Sequence, residues 1–178
     1  IRCHKTTGHG TQTFTQTVMN SCNPAFIEWG RRVGVDNFYT YIDKLGLTSK
    51  TGIDIAGEAG TIIHKKENVG EVELATMSFG QSFQITPMQM LRAAAAIVNG
   101  GNLVTPHFAI KTCAADKTTY SEFSYSTTQE AVSKETSDTM KDILRQVVEE
   151  GGGKNAYIEG FSIGGKTATS QKLPRGSG

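Results

Sequence analysis

The segment Gly164-Gly165-Lys166-Thr167-Ala168-Thr169-Ser170 places a lysine between paired glycines and a run of small hydroxyl residues. Together with the preceding Phe161-Ser162-Ile163, it is predicted to form a strand. Lysine and threonine side chains bind a carboxylate through charge-assisted hydrogen bonds. An edge strand would also offer its backbone to an extended peptide. The segment therefore indicates a sheet edge that binds a peptide carboxylate, although a solvent-facing lysine on an ordinary strand has the same sequence.

A second polar segment, Ser21-Cys22-Asn23, lies far upstream. A serine hydroxyl can relay a proton, and an asparagine amide both donates and accepts hydrogen bonds. The same residue types also cap helices, and Asn23 is predicted to cap a helix that has Pro24 at its first position. A catalytic role and a capping role for Asn23 are compatible with each other.

Length and composition indicate one soluble globular domain. The chain has 178 residues, of which 37% are hydrophobic and 20% charged, and its formal net charge is +1. This charge gives no basic surface for nucleic acid, so no nucleic-acid partner is expected. No stretch of 18 apolar residues is present that could span a membrane. No cofactor motif is recognised.

The chain contains three cysteines, Cys3, Cys22 and Cys113, which are too few for a disulfide scaffold. A zinc site that combines Cys3 and Cys22 with His4 and His9 is conceivable. However, the spacing matches none of the usual paired-ligand motifs, so no metal is expected. Cys113 lies on a predicted strand and is expected in the core.

Hydrophobic periodicity and capping residues predict a mainly helical chain with few strands, which is the α+β class. Residues 46–70 are predicted to be irregular and rich in turns. Helices are predicted within 11–46 with a break at Gly34, over 72–79, from Pro87 to Val98 and from Ser133 to Val148, and a strand is predicted over Pro106–Cys113.

An ordered set of segments resembles the class B penicillin-binding proteins, and is most similar to their division and sporulation subgroup. These segments cover nearly the whole chain: Gly8–Thr11, Asn20–Phe26, Lys44–Gly46, Thr51–Glu58, Ser78–Gln89 and the lysine segment. The resemblance implies a partial penicillin-binding protein transpeptidase fold, similar to the serine β-lactamases. This fold has a helical region plus an antiparallel sheet, of five strands in the family.

The resemblance also implies a function, which is D,D-transpeptidation of peptidoglycan stem peptides through an acyl-enzyme that penicillins trap. The family motifs are S-x-x-K, S-D-N and K-T-G. By this resemblance, Ser21 would relay a proton to the leaving group and Asn23 would hold the acyl-chain amide. Lys166, Thr167 and Thr169 would bind the terminal carboxylate, and Thr169 would supply a backbone donor.

Two departures from the family pattern qualify this implication. No Ser-x-x-Lys precedes Ser21, so the chain is expected to be a partial domain over residues 1–178, truncated at both ends and inactive by itself. Ala168 also stands where the family has glycine, and its methyl group could crowd a substrate backbone. A further Lys50-Thr51-Gly52 spells the family tripeptide, but its turn-rich setting indicates a structural role.

The position of Cys22 inside the Ser-x-Asn segment raises a redox hypothesis. A Cys3–Cys22 disulfide would act directly on the site, provided that the two Cα atoms lie within about 7 Å. The alternative is that both cysteines are small buried apolar residues.

The resemblance implies stem peptides and β-lactam antibiotics as ligands, a glycosyltransferase as a further partner, and a location on the extracytoplasmic face of a bacterial membrane. Self-association of the fragment through exposed apolar surface is also expected. A second hypothesis is that the chain is part of a β-lactamase or a β-lactam sensor. A third hypothesis is a non-catalytic binding module with the same fold.

Overall fold

The fold is α+β, as the sequence predicts. A computed structural model describes residues 1–170. The helices are α1 Phe14–Met19, α2 Asn23–Lys44, α3 Glu71–Ser78, α4 Pro87–Val98 and α5 Lys134–Glu149, with 3-10 turns at Lys66–Asn68 and Lys154–Ala156. The strands are β1 Leu103–Val104, β2 Lys111–Cys113, β3 Tyr120–Glu122 and β4 Thr127–Thr128.

The chain divides into two compact units. The first contains Ile1–Phe38, His64–Phe83 and the described residues from Thr139 onward. The second contains Tyr39–Ile63 and Gln84–Asp138.

Threonine caps begin two of the helices. The Thr13 and Thr86 side chains accept from the amides of Gln16 and Gln89, and each glutamine side chain accepts from the backbone amide of its threonine. This reciprocal capping box satisfies two of the amide groups that a helix start leaves unpaired. The predicted start of α4 at Pro87 is thereby confirmed.

The start of α2 corrects one prediction. Asn23 is the first helical residue and not the cap, because the carbonyl of Cys22 accepts from the amides of Ala25 and Phe26. Pro24 therefore occupies the second helical position, where its missing N–H is equally harmless. The predicted break at Gly34 is confirmed, since this residue has φ 74° and ψ 163° inside α2.

The core of the first unit forms where α1 and α5 bring apolar side chains together. Val18, Ile143 and Val147 are buried, and Met19, Phe26 and Met140 pack against them. Burying an aliphatic side chain of this size contributes about 1.5–3 kcal/mol relative to leaving it exposed. The apolar residues of α5 in this cluster therefore mark the side of the helix that faces the core.

The second unit has a small apolar core and a buried glutamine. Ala96, Leu103 and Ala131 are buried, with Leu45 packed against them. Gln89 is fully buried, and its amide nitrogen donates to the Ser49 carbonyl and to Thr61 Oγ1, both at 2.7 Å. Because the Gln89 oxygen accepts from the Thr86 amide, all the polar atoms of this side chain are used.

The sheets are smaller than the sequence predicts. Within residues 1–170, β1 pairs with β4 and β2 pairs with β3, each in an antiparallel two-stranded sheet, so the five-stranded sheet expected from the family is not formed there. The strand predicted over Pro106–Cys113 is reduced to its last three residues. Cys113 is exposed and not in the core, because all residues of β2 and β3 face solvent.

The segment around Lys166 is not a strand, which corrects a second prediction. Its backbone partners come from a helix and from a side chain and not from a neighbouring strand. The Gly165 amide donates to the Leu144 carbonyl of α5 at 3.1 Å, and the Thr169 carbonyl accepts from the side chain of Gln81.

The Lys50-Thr51-Gly52 tripeptide is structural, as predicted. Thr51 is buried, and its amide and hydroxyl donate to one carboxylate oxygen of Glu58 at 2.7 and 2.6 Å. The Gly52 amide, at a residue with φ 77°, donates to the other oxygen at 3.3 Å. Thr51 therefore uses its amide and its hydroxyl to close the loop between Thr51 and Glu58.

Candidate active site

Ser21 occupies a strained position at the end of α1. The Ser21 amide donates to the Val18 carbonyl, and the Cys22 amide donates to the Thr17 carbonyl. This is the Schellman pattern that terminates helices, in which the residue at the Ser21 position takes a left-handed conformation. Ser21 has φ 48°, a region that glycine occupies at no steric cost. Strained backbone of this kind clusters at active sites and ligand clamps, which makes Ser21 a candidate for a functional role.

The other helices that end in this way use glycine. Gly46 after α2 has φ 69°, and Gly80 after α3 has φ 87°. The amide of each donates to the carbonyl three residues earlier, as in α1. The serine at the end of α1 is therefore an exception to a pattern that the same chain follows twice.

Lys166 reaches the hydroxyl of Ser21. Its Nζ donates to Ser21 Oγ at 2.8 Å, to the Thr167 carbonyl at 2.8 Å, and to Thr167 Oγ1 at 3.4 Å. Ser21 and Lys166 are separated by 145 positions in the chain, yet they belong to the same compact unit. The fold thus brings together the two polar segments that the sequence singled out.

The ammonium group of Lys166 is partly desolvated. This desolvation lowers the pKa of Lys166 below its ordinary value, although the residue as a whole is exposed. A lower pKa brings a lysine nearer to the range in which it gives up and recovers a proton at neutral pH. The Lys166–Ser21 hydrogen bond supplies a direct path for that proton.

The lysine segment is fixed at its N-terminal end by close packing on α5. A Cβ atom added at Gly164 would lie 3.2 Å from Leu144 Cβ, and the Gly165 amide bonds the Leu144 carbonyl. The paired glycines therefore allow the backbone to approach the helix closely. This contact sets the position from which Lys166 extends.

Of the remaining predicted site residues, Thr167 contacts Lys166 directly, whereas Thr169, Asn23 and Ala168 are placed by other features. Thr167 contacts the ammonium group through both its carbonyl and its hydroxyl, and the Thr169 carbonyl accepts from Gln81 Nε2 at 3.3 Å. Asn23 is half-buried at the start of α2, two residues from Ser21, while Ala168 is exposed. An exposed Ala168 leaves its methyl group on an open side of the segment.

Next to Ser21, folding brings together a cluster of thiols and imidazoles. Cys3 Sγ lies 4.0 Å from Cys22 Sγ and 3.2 Å from His9 Nδ1, and the three ligand atoms all lie within 4.8 Å of one another. His4 Nδ1 is 3.9 Å from Cys3 Sγ. Both cysteines are free thiols in the structure.

This donor set suits a zinc ion. Tetrahedral Zn²⁺, with metal–sulfur bonds of about 2.3 Å and metal–nitrogen bonds of about 2.0–2.1 Å, holds its ligand atoms about 3.5–3.8 Å apart. The pKa of His9 is lowered by desolvation and by the neighbouring charges of Lys5 and His4, which favours the neutral imidazole that binds metals. The sequence spacing predicts no metal here, and the geometry of Cys3, His9 and Cys22 makes zinc binding a hypothesis to test.

Two contributors to the site were not predicted from the sequence. The spacing of His9 from the cysteines fits no standard motif. Gln81 directly follows a helix-ending glycine, which holds its backbone in a defined position. No sequence signal shows that its side chain reaches Thr169.

Comparisons with known proteins show which family the chain resembles. Residues 1–178 match the family model described as the penicillin binding protein transpeptidase domain. The chain is 44% identical to stage V sporulation protein D of Bacillus subtilis, over 99% of this chain and 27% of that protein. It is 28% identical to the penicillin-binding protein PbpB of Mycobacterium tuberculosis, over 100% of this chain and 27% of that protein.

A similar solved structure is penicillin binding protein 3 of Mycobacterium tuberculosis complexed with ampicillin. It has a TM-score of 0.87 and 29% identity, covering 93% of this chain and 38% of that chain. The chain thus spans about a quarter of the length of the curated relatives it matches. No helix among residues 1–170 has the length and hydropathy needed to cross a bilayer.

Proposed function

Because the chain belongs to the penicillin-binding protein transpeptidase family, we propose that it is part of a serine-type D,D-transpeptidase that cross-links peptidoglycan stem peptides and binds penicillin. The observation that supports this most strongly is the hydrogen bond between Lys166 and Ser21. It joins the Ser-x-Asn and lysine segments at hydrogen-bonding distance.

In the proposed reaction, a serine nucleophile attacks the carbonyl of the penultimate D-alanine of one stem peptide. The bond to the terminal D-alanine breaks, and the acyl group remains on the serine as an ester. An amine of a second stem then attacks this ester, which forms the cross-link and frees the serine. No residue of this chain is assigned as the nucleophile or its general base, because no Ser-x-x-Lys occurs before Ser21.

The residues of this chain would serve this reaction in three ways. Ser21, with Lys166 on its hydroxyl, would carry the proton to the leaving D-alanine amine. Lys166, Thr167 and Thr169 would hold the terminal carboxylate by charge-assisted hydrogen bonds, and the Thr169 amide would donate to the oxyanion. Asn23 would hold the amide of the acyl chain.

The thiol–imidazole cluster would give the site a second layer of control. Cys22 directly follows Ser21, so a ligand or a bond on its sulfur acts on the strained turn that holds the Ser21 hydroxyl. A zinc ion on Cys3, His9 and Cys22, or a Cys3–Cys22 disulfide, would lock that turn in one geometry. Zinc binding and the disulfide exclude each other, because oxidation to a disulfide removes the thiolates that would bind zinc.

The proposed location is the extracytoplasmic face of a bacterial membrane, where peptidoglycan is cross-linked. A glycosyltransferase that supplies the glycan strands is the proposed partner. Self-association of the isolated chain is proposed from exposed apolar residues such as Ile1 and Phe161, and is checked by size-exclusion chromatography at several concentrations. A monomer at every concentration would contradict it.

A fluorescent penicillin tests the proposed function. The chain should remain unlabelled, and a protein extended to include its Ser-x-x-Lys should form a stable adduct that resists denaturation in gels. Absence of label on the extended protein would contradict the proposal and favour a non-catalytic module. Label that forms and is then rapidly released would favour a β-lactamase.

A further inference from the structure

We propose that Gln81 is a positioning residue of the acyl-transfer site, which holds the backbone of Thr169 so that its amide points at the developing oxyanion. This inference rests on the function proposed above and adds a residue to it. Gln81 does not touch the reacting atoms in this account. It acts through the lysine segment.

The contact uses both ends of the Gln81 side chain. Its Nε2 donates to the Thr169 carbonyl at 3.3 Å, and its Oε1 accepts from Ser170 Oγ at 3.3 Å. Because a carboxamide has one donor end and one acceptor end, this pair of bonds fixes the orientation of the group. The two partners are the carbonyl of Thr169 and the side-chain hydroxyl of the next residue, so Gln81 holds the chain directly after the Thr169 amide.

Gln81 is itself held rigidly by the end of α3. The Gly80 amide donates to the Met77 carbonyl and the Gln81 amide donates to the Thr76 carbonyl, both at 3.0 Å. Gly80 has φ 87°, which completes the Schellman pattern. Met77 is only 2% exposed, so the turn is anchored in the core of its unit. The next residue, Ser82, has a strained φ of 63°.

The lysine segment depends on such a contact because it has no strand partner within residues 1–170. Its N-terminal end is held by α5 through Gly165, and its C-terminal end is held by Gln81. Lys166 and the Thr169 amide lie between these two attachments. An oxyanion donor acts only within a narrow range of distance and angle, and a displacement of about 1 Å can lower a rate by about a hundredfold.

The test is Gln81→Glu in the protein extended to include its Ser-x-x-Lys. Glutamate has the same shape and still accepts from Ser170, but its carboxylate cannot donate to the Thr169 carbonyl and faces it with negative charge. Gln129→Glu, at an exposed position in the other compact unit, makes the same change in charge and serves as the control. Gln81→Met, which lacks both polar ends without adding charge, is the second variant.

Acylation by a fluorescent penicillin in a stopped-flow instrument separates the initial binding constant from the acylation rate constant. We expect Gln81→Glu and Gln81→Met to lower the acylation rate constant by about 10–100-fold, with a much smaller change in initial binding and in the melting temperature. Gln129→Glu should behave like the unmodified protein.

Two results would overturn the inference while leaving the proposed function intact. One is an unchanged acylation rate constant in both Gln81 variants. The other is a parallel fall in binding, acylation and melting temperature, which denotes a merely structural role. If the unmodified extended protein is not acylated at all, the proposed function fails, and the role of Gln81 fails with it.

Discussion

Ser21 is a residue at which stability and function are in conflict. It ends α1 in the left-handed position that glycine occupies after α2 and α3, and it has φ 48°. A left-handed conformation costs a residue with a side chain roughly 1–2 kcal/mol, and a functional site retains this cost only when the side chain is needed. The hydrogen bond from Lys166 explains why a side chain is needed at this position, because glycine would leave the ammonium group without this partner.

This conflict predicts opposite effects of two substitutions. Ser21→Gly should be more stable than Ser21→Ala by about 1 kcal/mol, because only glycine accepts the positive φ without strain. Both variants of the extended protein should lose penicillin acylation to the same extent. Thermal unfolding and acylation kinetics on the same samples measure the two effects. Equal stabilities of the two variants, or retained acylation in either, would contradict this account of Ser21.

The cluster of Cys3, His9 and Cys22 predicts a zinc stoichiometry. Protein purified under reducing conditions and loaded with Zn²⁺ should retain about one zinc per chain, measured by elemental mass spectrometry. Cobalt substitution should add the ultraviolet absorption of metal–thiolate charge transfer. Cys22→Ser should lose both signals because it removes a buried ligand.

Cys113→Ser is the matched control, since Cys113 is exposed on β2 and lies outside the cluster. Its zinc content should equal that of the unmodified protein. Zinc that is retained by Cys22→Ser, or lost equally by both variants, would rule out the proposed centre. Alkylation of metal-free protein without reductant tests the redox alternative, a Cys3–Cys22 disulfide. In that case neither Cys3 nor Cys22 reacts with the alkylating reagent.

Glu58 predicts a dependence of stability on pH. Burial alone would raise the pKa of Glu58, but hydrogen bonds from the Thr51 side chain and from the Thr51 and Gly52 amides outweigh it and hold that pKa below its ordinary value. Because the folded-state pKa lies below the unfolded-state pKa, the stabilisation is complete above the unfolded-state value. It is lost as the pH falls through the folded-state value.

We therefore expect Glu58→Gln to lower the free energy of unfolding by about 1 kcal/mol at neutral pH. The difference from the unmodified protein should shrink as the pH falls below the unfolded-state pKa and through the lowered folded-state pKa, since the carboxylate of the unmodified protein then becomes protonated. Denaturant unfolding at several pH values measures it. A difference that stays constant over this range would show that the charge of Glu58 contributes nothing.

At the scale of elements, the contact of α2 with α3 depends on a missing side chain. A Cβ atom added at Gly30 would lie 1.8 Å from Ser78 Oγ and 2.7 Å from Ser78 Cβ, closer than atoms can pack. Ser78 cannot rotate away freely, because its hydroxyl donates to the Leu74 carbonyl at 2.6 Å. Gly30 thus allows the two helices to approach.

Gly30→Ala should therefore lower the free energy of unfolding by about 1–3 kcal/mol, although alanine is the better helix former. Ser78→Gly removes the atoms in conflict, so the double variant should recover most of this loss. Denaturant unfolding of the four proteins gives a double-mutant cycle with an expected coupling of at least about 1 kcal/mol. Additive effects would show that the contact is not where the structure has it.

The elements differ in how far the sequence could predict them. The helices were predictable because their caps and stops are local, as with Thr86 and Pro87 at the start of α4 and Gly80 at the end of α3. The strand predicted around Lys166 was wrong because a strand requires a partner, and here the partners are a carbonyl of α5 and the side chain of Gln81. The strand predicted from the alternating pattern over Pro106–Cys113 was too long for the same reason.

At the scale of the whole molecule, the most informative result is the meeting of two distant segments. The family resemblance implies a common site for Ser21 and Lys166, and Lys166 Nζ lies 2.8 Å from Ser21 Oγ. The thiol–imidazole cluster was not predictable from spacing, because Cys3, His9 and Cys22 meet only through the loop before α1. The match of residues 1–178 to the family model agrees with the fold that the sequence predicts. The roles of single residues are addressed by the experiments proposed here.

The most direct test of the central claim is a cross-linking assay with the extended protein. The assay measures D-alanine release from a stem peptide ending in D-Ala-D-Ala, and product formation with an acceptor amine, by mass spectrometry. We predict both products in equal amounts, with both reduced by about 100-fold or more in Lys166→Ala, because a charged donor at the reacting centre is lost. Hydrolysis of penicillin without any cross-linked product, or full activity in Lys166→Ala, would contradict the assignment of this site to transpeptidation.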